Sequence, residues 1–482
     1  MSTIKNQAIS GVFWSLLQNV GGKGITFLVT LLLARLLTPS AFGLIGMLAV
    51  VIQLSQVMVN AGFSQALIQR KEVSNEDYSS VFFLNLMVSI FLYTLLFFGA
   101  PYIADFYHQP QLIDLTRVLT LIFVINAFSF VQEAKLTREL KFKKLMMINL
   151  PSTIAGGVIS IIMAFMGFGV WSIVALQIST RILYALQIWL YARWRPQLLM
   201  QWDRLKELFS FGGKIMLSSM IQAVYQNIYL IVLGRYFAVT SVGYYQNANN
   251  LVQTPSATIS GAISKVSFSV FSSIQDDNEG LRSGYKKIVQ QLMFWLCPAF
   301  VFAAILAEPL FEFLFTAKWL PAVPYFQVLC VVGILFPLNA FNLNMVNVKG
   351  RSDLYLKLEI IKKLIITVGV IICIPFGIKA LLYFQAFNSV LSYIINSFYS
   401  GRFISYGLFS QLKDITPIVL LTISTGFLIF LVNQFLTVDS NVIRLTIGLF
   451  TGYSTYWIAA YLTKLAPFLD FTNLVRNRLV KS

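Results

Sequence analysis

The sequence predicts an all-α polytopic membrane protein with about 14 transmembrane helices. Two parallel six-helix repeats are expected to form lobes around a central cavity, followed by two extra C-terminal helices. Three observations predict this fold: the composition, apolar runs along the whole chain, and an internal repeat. Of the 482 residues, 57% are hydrophobic and 11% are charged, and the mean hydropathy is +0.74. Soluble domains carry about 25% charged residues. Because backbone groups must be paired within lipid, long apolar runs are expected to be helices.

The apolar runs are each about 20 residues long, which lets a helix cross a hydrocarbon core of about 30 Å. In chain order, the predicted spans are 12–34, 41–63, 81–103, 112–133, 146–167, 170–192, 212–234, 242–267, 288–308, 323–346, 358–375, 378–400, 415–434 and 442–463. The predicted domains are an N-lobe at 1–200, a C-lobe at 201–405, and two further spans with a cytoplasmic tail at 406–482.

The net charge of +17 follows from where the basic residues lie. With the N-terminus inside, most lysines and arginines fall in inner loops, notably in 134–146 and 348–363. The outer side receives only Arg35, Arg117, Arg235, Lys318, Lys379 and Arg444. This asymmetry predicts that both termini are cytoplasmic. The two basic inner segments are typical of interfacial helices that bind membrane lipids. No nucleic-acid partner is expected, because the sequence contains no soluble domain with such a motif.

Several other functions are not expected from the sequence. The first apolar run is too long for a signal-peptide core and no small-residue cleavage site follows it. Cys297, Cys330 and Cys373 are far apart in predicted spans, so we expect apolar packing and no metal site or disulfide framework. GGKG at 21–24 lacks the spacing of a phosphate loop. The sequence therefore predicts a protein that is not an enzyme and has no cofactor.

Internal sequence similarity predicts the two repeats. LLARLLTPSAFGLI at 32–45 is matched by VLGRYFAVTSVGYY at 232–245, a shift of 200 (232 − 32). NAF at 126–128 returns at 339–341, a shift of 213 (339 − 126), and FGV at 168–170 is matched by FGI at 376–378, a shift of 208 (376 − 168). The matches include scarce residues, such as Gly43 with Gly243, so they indicate duplication. Transporters built from such repeats bind substrate near the midplane between the repeats.

Polar residues fall on single faces of the spans that begin each half. Their spacing of three, four or seven residues aligns them along a helix. The predicted cavity wall consists of Asn19 in span 1, Gln53, Gln56 and Asn60 in span 2, Gln226 in span 7, and Asn249 and Gln253 in span 8. The alternative is that these amides form hydrogen bonds between helices.

Three cations, Lys23, Arg181 and Lys265, lie within predicted spans. Such residues cost about 2.5–3.5 kcal/mol at the bilayer centre, so they normally face a wet cavity or a partner. No carboxylate lies near the middle of a span, which predicts an anionic cargo as counter-ion. Alternatively, Lys265 extends to the headgroups, Lys23 has a structural partner, and Arg181 binds backbone carbonyls. Arg35 and Arg235, at outer ends, are expected to be structural or gate residues.

Several longer segments resemble a known family. LLARLLTPSAFGLI and NAGFSQALIQRKEVS at 60–74 resemble the start of bacterial polysaccharide flippases of the Wzx type. FSSIQDDNEGLR at 271–282 and KWLPAVPYFQVLCVVG at 318–333 are also similar. The resemblance covers nearly the whole chain and is nearest the colanic acid exporter and teichuronic acid transporter subgroup. These proteins form the polysaccharide transport branch of the multidrug/oligosaccharidyl-lipid/polysaccharide superfamily.

The resemblance implies fourteen helices, alternating access and a location in the bacterial inner membrane. The implied cargo is a polyprenyl-diphosphate-linked oligosaccharide, flipped from the cytoplasmic to the outer leaflet. The implied partners are polysaccharide polymerase and glycosyltransferase machinery. Lys23 is at a position where the related lipid II flippases carry a cavity arginine, but their adjacent Arg-Asp pair is replaced by Thr30 and Leu31.

Two other functions stay open at this point. An ion-coupled exporter of drugs or other small molecules would have the same fold, but it would need buried Asp or Glu for a cationic cargo. A structural or assembly protein without transport would not need the polar faces of spans 1, 2, 7 and 8.

Overall fold

The structure is a computed structural model that describes residues 2–60, 73–192, 194–197, 213, 216–435, 438 and 440–479. Within these ranges the chain is helical and contains no strand. The first half comprises α1 Ser2–Leu36, α2 Pro39–Asn60, α3 Asn75–Tyr107, α4 Leu112–Leu119, α5 Leu121–Arg138, α6 Phe142–Phe165, α7 Trp171–Ala192, α8 Met216–Gln226 and α9 Ile228–Tyr236.

The second half continues with longer helices. It comprises α10 Val239–Ser273, α11 Asn278–Ile305, α12 Ala307–Leu314, the 3-10 turn Ala317–Ala322, α13 Val323–Val348, α14 Ser352–Cys373, the 3-10 turn Ile374–Phe376, α15 Gly377–Ile404, α16 Leu408–Phe435, α17 Asn441–Leu462 and α18 Ala466–Leu479.

The helices match the predicted spans. In the part of the chain that the structure describes, nine segments are long and apolar enough to cross a membrane, or ten when the bent pair α8 and α9 counts as one. One of these segments, Ser352–Ile404, contains both α14 and α15. Helices α1, α10 and α17 also cover predicted spans but do not meet this test. In α10 the polar face explains this, because it lowers the mean hydropathy. The total of fourteen spans stays a prediction.

The chain divides into two compact units, Met1–Gly243 and Tyr244–Ser482. In the first unit, α6 packs against α1 and α7, and the absence of side chains at Gly156 and Gly157 allows close contact with Thr180 and Val29. Small residues allow such close approach in membrane helices. The predicted lobe boundary at 200/201 concerns the sequence repeat and stays a prediction.

In the second unit, α13 packs along α15, and α16 packs along α11. Helix α16 therefore belongs to the core of this unit, although it lies outside the predicted repeat. Gly426 of α16 lies against Ile305, and Gly448 of α17 lies against Leu306. The two C-terminal spans are thus held by the same kind of glycine contact as the first unit.

Helix boundaries recur at shifts close to those of the sequence echo. Helices α1 and α9 end at Leu36 and Tyr236, a shift of 200 (236 − 36). The N-caps Ser74 and Asp277, at a shift of 203 (277 − 74), each accept a hydrogen bond from the backbone N–H three residues later. Such caps satisfy a donor that has no partner within the helix. These boundaries support the predicted duplication.

Two pairs of turns with left-handed backbone indicate the register of the predicted repeat. Gly169 (φ 55°) and Gly377 (φ 88°) agree with the predicted shift of 208 (377 − 169). Leu140 (φ 55°) and Gly350 (φ 70°), which separate α5 from α6 and α13 from α14, give a shift of 210 (350 − 140). The NAF match between 126–128 and 339–341 predicts a shift of 213 in this part of the chain. At that shift Arg138 also meets Arg351 and Lys144 meets Lys357, so the sequence match and the turns differ by three residues in this segment.

Candidate functional site

The first unit contains a broken helix whose break carries an amide cluster. Helices α8 and α9 meet at Asn227 with a bend of 48°. At the break, Asn227 Nδ2 donates to the carbonyl oxygen of Ala223 at 2.8 Å. A side chain that bonds to a helix carbonyl in this way is a recognised cause of a kink. In repeat-built transporters, discontinuous helices line the binding site.

Two of the predicted cavity residues meet at this break. Gln53 Nε2 donates to Gln226 Oε1 at 2.8 Å, and Asn227 Nδ2 also donates to Gln53 Oε1. Gln53 and Gln226 therefore use part of their hydrogen-bonding capacity between helices. Gln226 keeps an exposed side chain and Gln53 is half-buried, so the cluster still presents amide groups that can bind sugar hydroxyls.

The other amides of the predicted wall have different surroundings. Gln56, on α2, is half-buried, as are Asn249 and Gln253 on α10. Further along α10, Ser256 Oγ is buried and donates to the carbonyl oxygen of Gly333 at 3.0 Å. This part of the polar face packs against α13. The interhelical alternative therefore applies to Ser256.

Three predicted side chains lie outside the described parts of the structure. Asn19, Asn60 and Lys265 have helical backbone in α1, α2 and α10, and their roles stay predictions. Lys23 is described: it lies on α1 and its side chain is exposed. Because α1 packs along α6 in the first unit, Lys23 belongs to the same compact body as the amide cluster.

Arg181 has an acidic neighbour that the sequence did not reveal. The carboxyl group of Glu133, on α5, interacts with the charge of Arg181 and with Tyr184, both on α7. Arg181 has an exposed side chain. The expectation that the cations within spans have no acidic neighbour is wrong for Arg181. The reason is packing: α5 lies along α7, which brings together residues that are 48 positions apart (181 − 133).

A second charged pair lies in α14, in the second unit. Lys362 Nζ contacts Glu359 Oε1 at 2.5 Å, and the two side chains are 12% and 27% exposed. Lys362 lies both in the basic inner segment 348–363 and in the predicted span 358–375, and in the structure α14 runs through it. A pair that is shielded to this degree within a helix needs its partner to offset the loss of hydration.

The two outer arginines differ in their contacts. Arg235, in the last turn of α9, donates from Nη1 to the carbonyl oxygen of Phe106 at 2.5 Å and lies 2.7 Å from His108 Nε2. It thereby binds the C-terminal end of α3, where carbonyl groups lack helical partners. This geometry fits the predicted structural role. Arg35, at the end of α1, is exposed.

The part of the chain that the structure describes contains no group of three His, Cys, Asp or Glu residues that could hold a metal ion. The sequence shows Asn227 among the polar residues of span 7 and Glu133 near the end of a span. It does not show that Glu133 lies beside Arg181.

Comparisons with known proteins show the family and the fold. The family described as polysaccharide biosynthesis protein matches residues 32–324. The teichuronic acid biosynthesis protein TuaB of Bacillus subtilis (strain 168) is 27% identical over 433 residues, 89% of this chain and 90% of that protein. The lipopolysaccharide biosynthesis protein WzxC of Escherichia coli (strain K12) is 26% identical over 401 residues, 82% of this chain and 81% of that protein.

A solved structure has the same fold. The lipid II flippase MurJ in an inward closed conformation is similar with a TM-score of 0.73 and 14% identity, over 95% of this chain and 99% of that chain. At this identity the likeness is evidence for the fold alone.

Proposed function

Because this chain belongs to the polysaccharide biosynthesis protein family, we propose that it is a flippase for a polyprenyl-diphosphate-linked oligosaccharide. The cargo moves from the cytoplasmic to the outer leaflet of the bacterial cytoplasmic membrane by alternating access. Both termini are cytoplasmic, and no covalent chemistry is involved. The polymerase and glycosyltransferases of the same polysaccharide are the proposed partners.

The observation that carries this proposal is the pair of exposed cations on helices of the first unit. Lys23 lies on α1 and Arg181 on α7, and both helices pack against α6. A cation within a membrane span is costly unless it faces water or an anion. A diphosphate can bind both cations in addition to the contacts that they already make, and arginine suits it because its guanidinium can form two parallel hydrogen bonds.

The amide cluster supplies the second part of the proposed site. Gln53, Gln226 and Asn227 offer donors and acceptors beside the break between α8 and α9. Amides suit sugars because each one donates and accepts hydrogen bonds. The polyprenyl tail stays in the surrounding lipid, so its transfer has no desolvation cost.

Glu133 sets a requirement on the charge of the cargo. Its carboxyl group already acts on Arg181, so an incoming anion has to compete with a resident negative charge. A diphosphate carries more charge than a phosphodiester and can hold two cations at once. The proposed site therefore favours diphosphate-linked lipids over ordinary monoanionic phospholipids.

The proposal is tested by removing the cations one at a time. Arg181→Ala and Lys23→Ala should lower the flipping of a fluorescent polyprenyl-diphosphate sugar in proteoliposomes at least tenfold. Arg181→Lys should keep part of the activity, since it retains the charge without the planar donor array. Lys141→Ala is the matched control, because Lys141 is an exposed cation that contacts Glu139 at 2.5 Å outside the proposed site.

Wild-type flipping by both Arg181→Ala and Lys23→Ala would remove these residues from the cargo site. In cells, the same variants should abolish surface polysaccharide at unchanged protein abundance, which separates loss of transport from loss of folding.

Glu133 also keeps the second candidate function open. An exporter of cationic drugs needs a carboxylate in its binding unit, and Glu133 is one that the structure places in the first unit. Under that function, Glu133→Gln should abolish resistance to cationic drugs. Under the flippase function, Glu133→Gln keeps both cations, so surface polysaccharide should persist and drug resistance should not change.

A further inference from the structure

The second unit contains a fully buried hydrogen-bond network centred on Asn342 of α13. Asn342 Oδ1 accepts from Tyr285 OH at 2.6 Å, from Ser400 Oγ at 2.7 Å and from Gln411 Nε2 at 3.0 Å. Asn342 Nδ2 donates to the carbonyl oxygen of Leu338 at 3.0 Å. All four side chains in the network are buried. Because every polar group of Asn342 has a partner, the network is stabilising rather than costly.

The Asn342 network joins four helices. Tyr285 lies on α11, Ser400 on α15 and Gln411 on α16. Gln411 Oε1 also accepts from Tyr393 OH of α15 at 2.9 Å. Breaking the network would leave several buried polar groups unpaired at once. We therefore expect α11, α13, α15 and α16 to stay together when the second unit moves.

The first unit has a glutamine at the matching position, and that glutamine has no hydrogen-bond partner among the described residues. At the shift of 210 set by the turns at Leu140 and Gly350, Asn342 corresponds to Gln132 of α5 (342 − 210). Gln132 is fully buried. Within the described residues, neither its amide nitrogen nor its amide oxygen has a hydrogen-bond partner. Buried groups of this kind are rare in folded proteins and need an explanation.

The donors of the second unit are replaced in the first. At the shift of 203 set by the two N-caps, Tyr285 corresponds to Phe82 (285 − 203), which has no hydroxyl group. At the shift of 208, Ser400 corresponds to Ala192 (400 − 208). Gln411 comes from α16, which lies outside the repeat. The first unit therefore keeps the amide and lacks the three groups that bind it in the second.

Several buried donors of the first unit have no acceptor among the described residues, and the Trp194 indole is one of them. The indole N–H of Trp194 is buried and has no acceptor among the described residues. The Trp194 ring packs against Phe82 at 6.1 Å between centroids. It belongs to the same core cluster as Val131, the residue before Gln132 on α5, and Ala134, the second residue after it. An unpaired donor and an unpaired acceptor thus lie in one region of the first unit.

We propose that Gln132 Oε1 accepts a hydrogen bond from the Trp194 indole in a second conformational state of the first unit. In that state α5 shifts relative to residues 194–197, while the Asn342 network holds its four helices together. The first unit then repacks internally during transport and the second moves as one body. This inference rests on the alternating access of the proposed function.

Stability measurements give the first test, on purified full-length protein. Gln132→Leu removes a buried amide that is unpaired in the described state, so its unfolding midpoint should equal or exceed that of the wild type. Asn342→Leu, at the matched position, should lower the midpoint by several degrees. Ser400→Ala removes a single donor and should lower it less, which keeps the comparison possible if Asn342→Leu does not fold. A lower midpoint for Gln132→Leu would overturn the proposal, because it would mean that the amide is already bound, for example to a buried water.

Transport gives the second test. Gln132→Leu and Trp194→Phe should each lower flipping of the fluorescent polyprenyl-diphosphate sugar at least fivefold, and the double variant should be no slower than either single variant. Full activity of both single variants would overturn the proposal. Additive losses would do so as well, since they would mean that the two residues act separately.

A spectroscopic test does not depend on the cargo. In protein labelled with 5-fluorotryptophan, the fluorine signal of Trp194, assigned with Trp194→Phe, should show two populations that become one in Gln132→Leu. The signal of Trp189 should not respond, because its indole already donates to the carbonyl oxygen of Phe128 at 2.7 Å. A single Trp194 population unchanged by Gln132→Leu overturns the inference. Two populations in a protein that flips no lipid-linked sugar would support it and reject the proposed function instead.

Discussion

At the scale of single residues, the glycines that the repeat matches have a physical reason to be glycine. A Cβ atom on Gly43 would lie 2.0 Å from the carbonyl oxygen of Val239, and one on Gly243 would lie 1.9 Å from that of Pro39. Both neighbours are backbone atoms, which cannot rotate away as a side chain can. Two backbone segments of the first unit approach each other at these residues, and only glycine permits it. The two glycines that the predicted repeat pairs therefore share one backbone contact.

This contact predicts the effect of adding one methyl group. Gly43→Ala and Gly243→Ala should each lower the unfolding midpoint and the amount of folded protein, since overpacking costs about 1–3 kcal/mol and here no rotamer relieves it. Gly261→Ala in α10 is the matched control: its Cβ would meet nothing within 4 Å. Alanine favours a helix over glycine by about 1 kcal/mol, so the control should be equally or more stable. The measurement is the thermal unfolding midpoint of the three purified variants. Equal midpoints would mean that a Cβ atom at Gly43 or Gly243 does not clash with the backbone.

At the scale of elements, the break between α8 and α9 is the most irregular point of the first unit's described spans. The backbone N–H of Asn227 still bonds to Val224 at 3.1 Å, while its side chain bonds to Ala223 and reaches Gln53 of α2. The break is therefore stabilised from outside its own helix. Because Gln53 belongs to α2, a movement of α2 alters the hydrogen bond that holds Asn227 at the break.

The coupling between Asn227 and Gln53 can be measured with a double-mutant cycle. Hydrogen bonds between membrane helices contribute about 0.6 kcal/mol on average, so Asn227→Leu and Gln53→Leu should each destabilise the protein by about 1 kcal/mol. The double variant should lose less than the sum of the two, because the shared bond is removed only once. Unfolding midpoints and flipping rates are the measurements. Strictly additive losses would mean that the bond between the two amides does not stabilise the break.

At the scale of the whole molecule, local patterns predict the helices well and the partners of polar residues poorly. Apolar runs and loop charges are properties of consecutive residues, so the spans can be placed from sequence. The proximity of Glu133 to Arg181 depends on how α5 packs along α7, and no local pattern encodes that register. The same holds for Asn342, whose donors come from three other helices. Asn342 corresponds to Gln132 at the shift of 210 that the turns give, and does not correspond to it at the shift of 213 that the sequence predicts.

The orientation of the molecule in its membrane gives the last prediction. The excess of lysine and arginine in alternate loops predicts that the start of α16 faces the cytoplasm and its end faces outward. Ser410 lies near the start of α16 and Ser440 precedes α17, so the two serines flank one span. In a variant in which the partly exposed Cys373 is serine, Ser440→Cys should react with a membrane-impermeant maleimide in intact cells. Ser410→Cys should react only after the membrane is opened or inverted. Each cysteine is the control for the other. Labelling of Ser410→Cys from outside would reverse the predicted topology. The basic loops would then lie on the wrong side for the proposed uptake of cargo from the cytoplasmic leaflet.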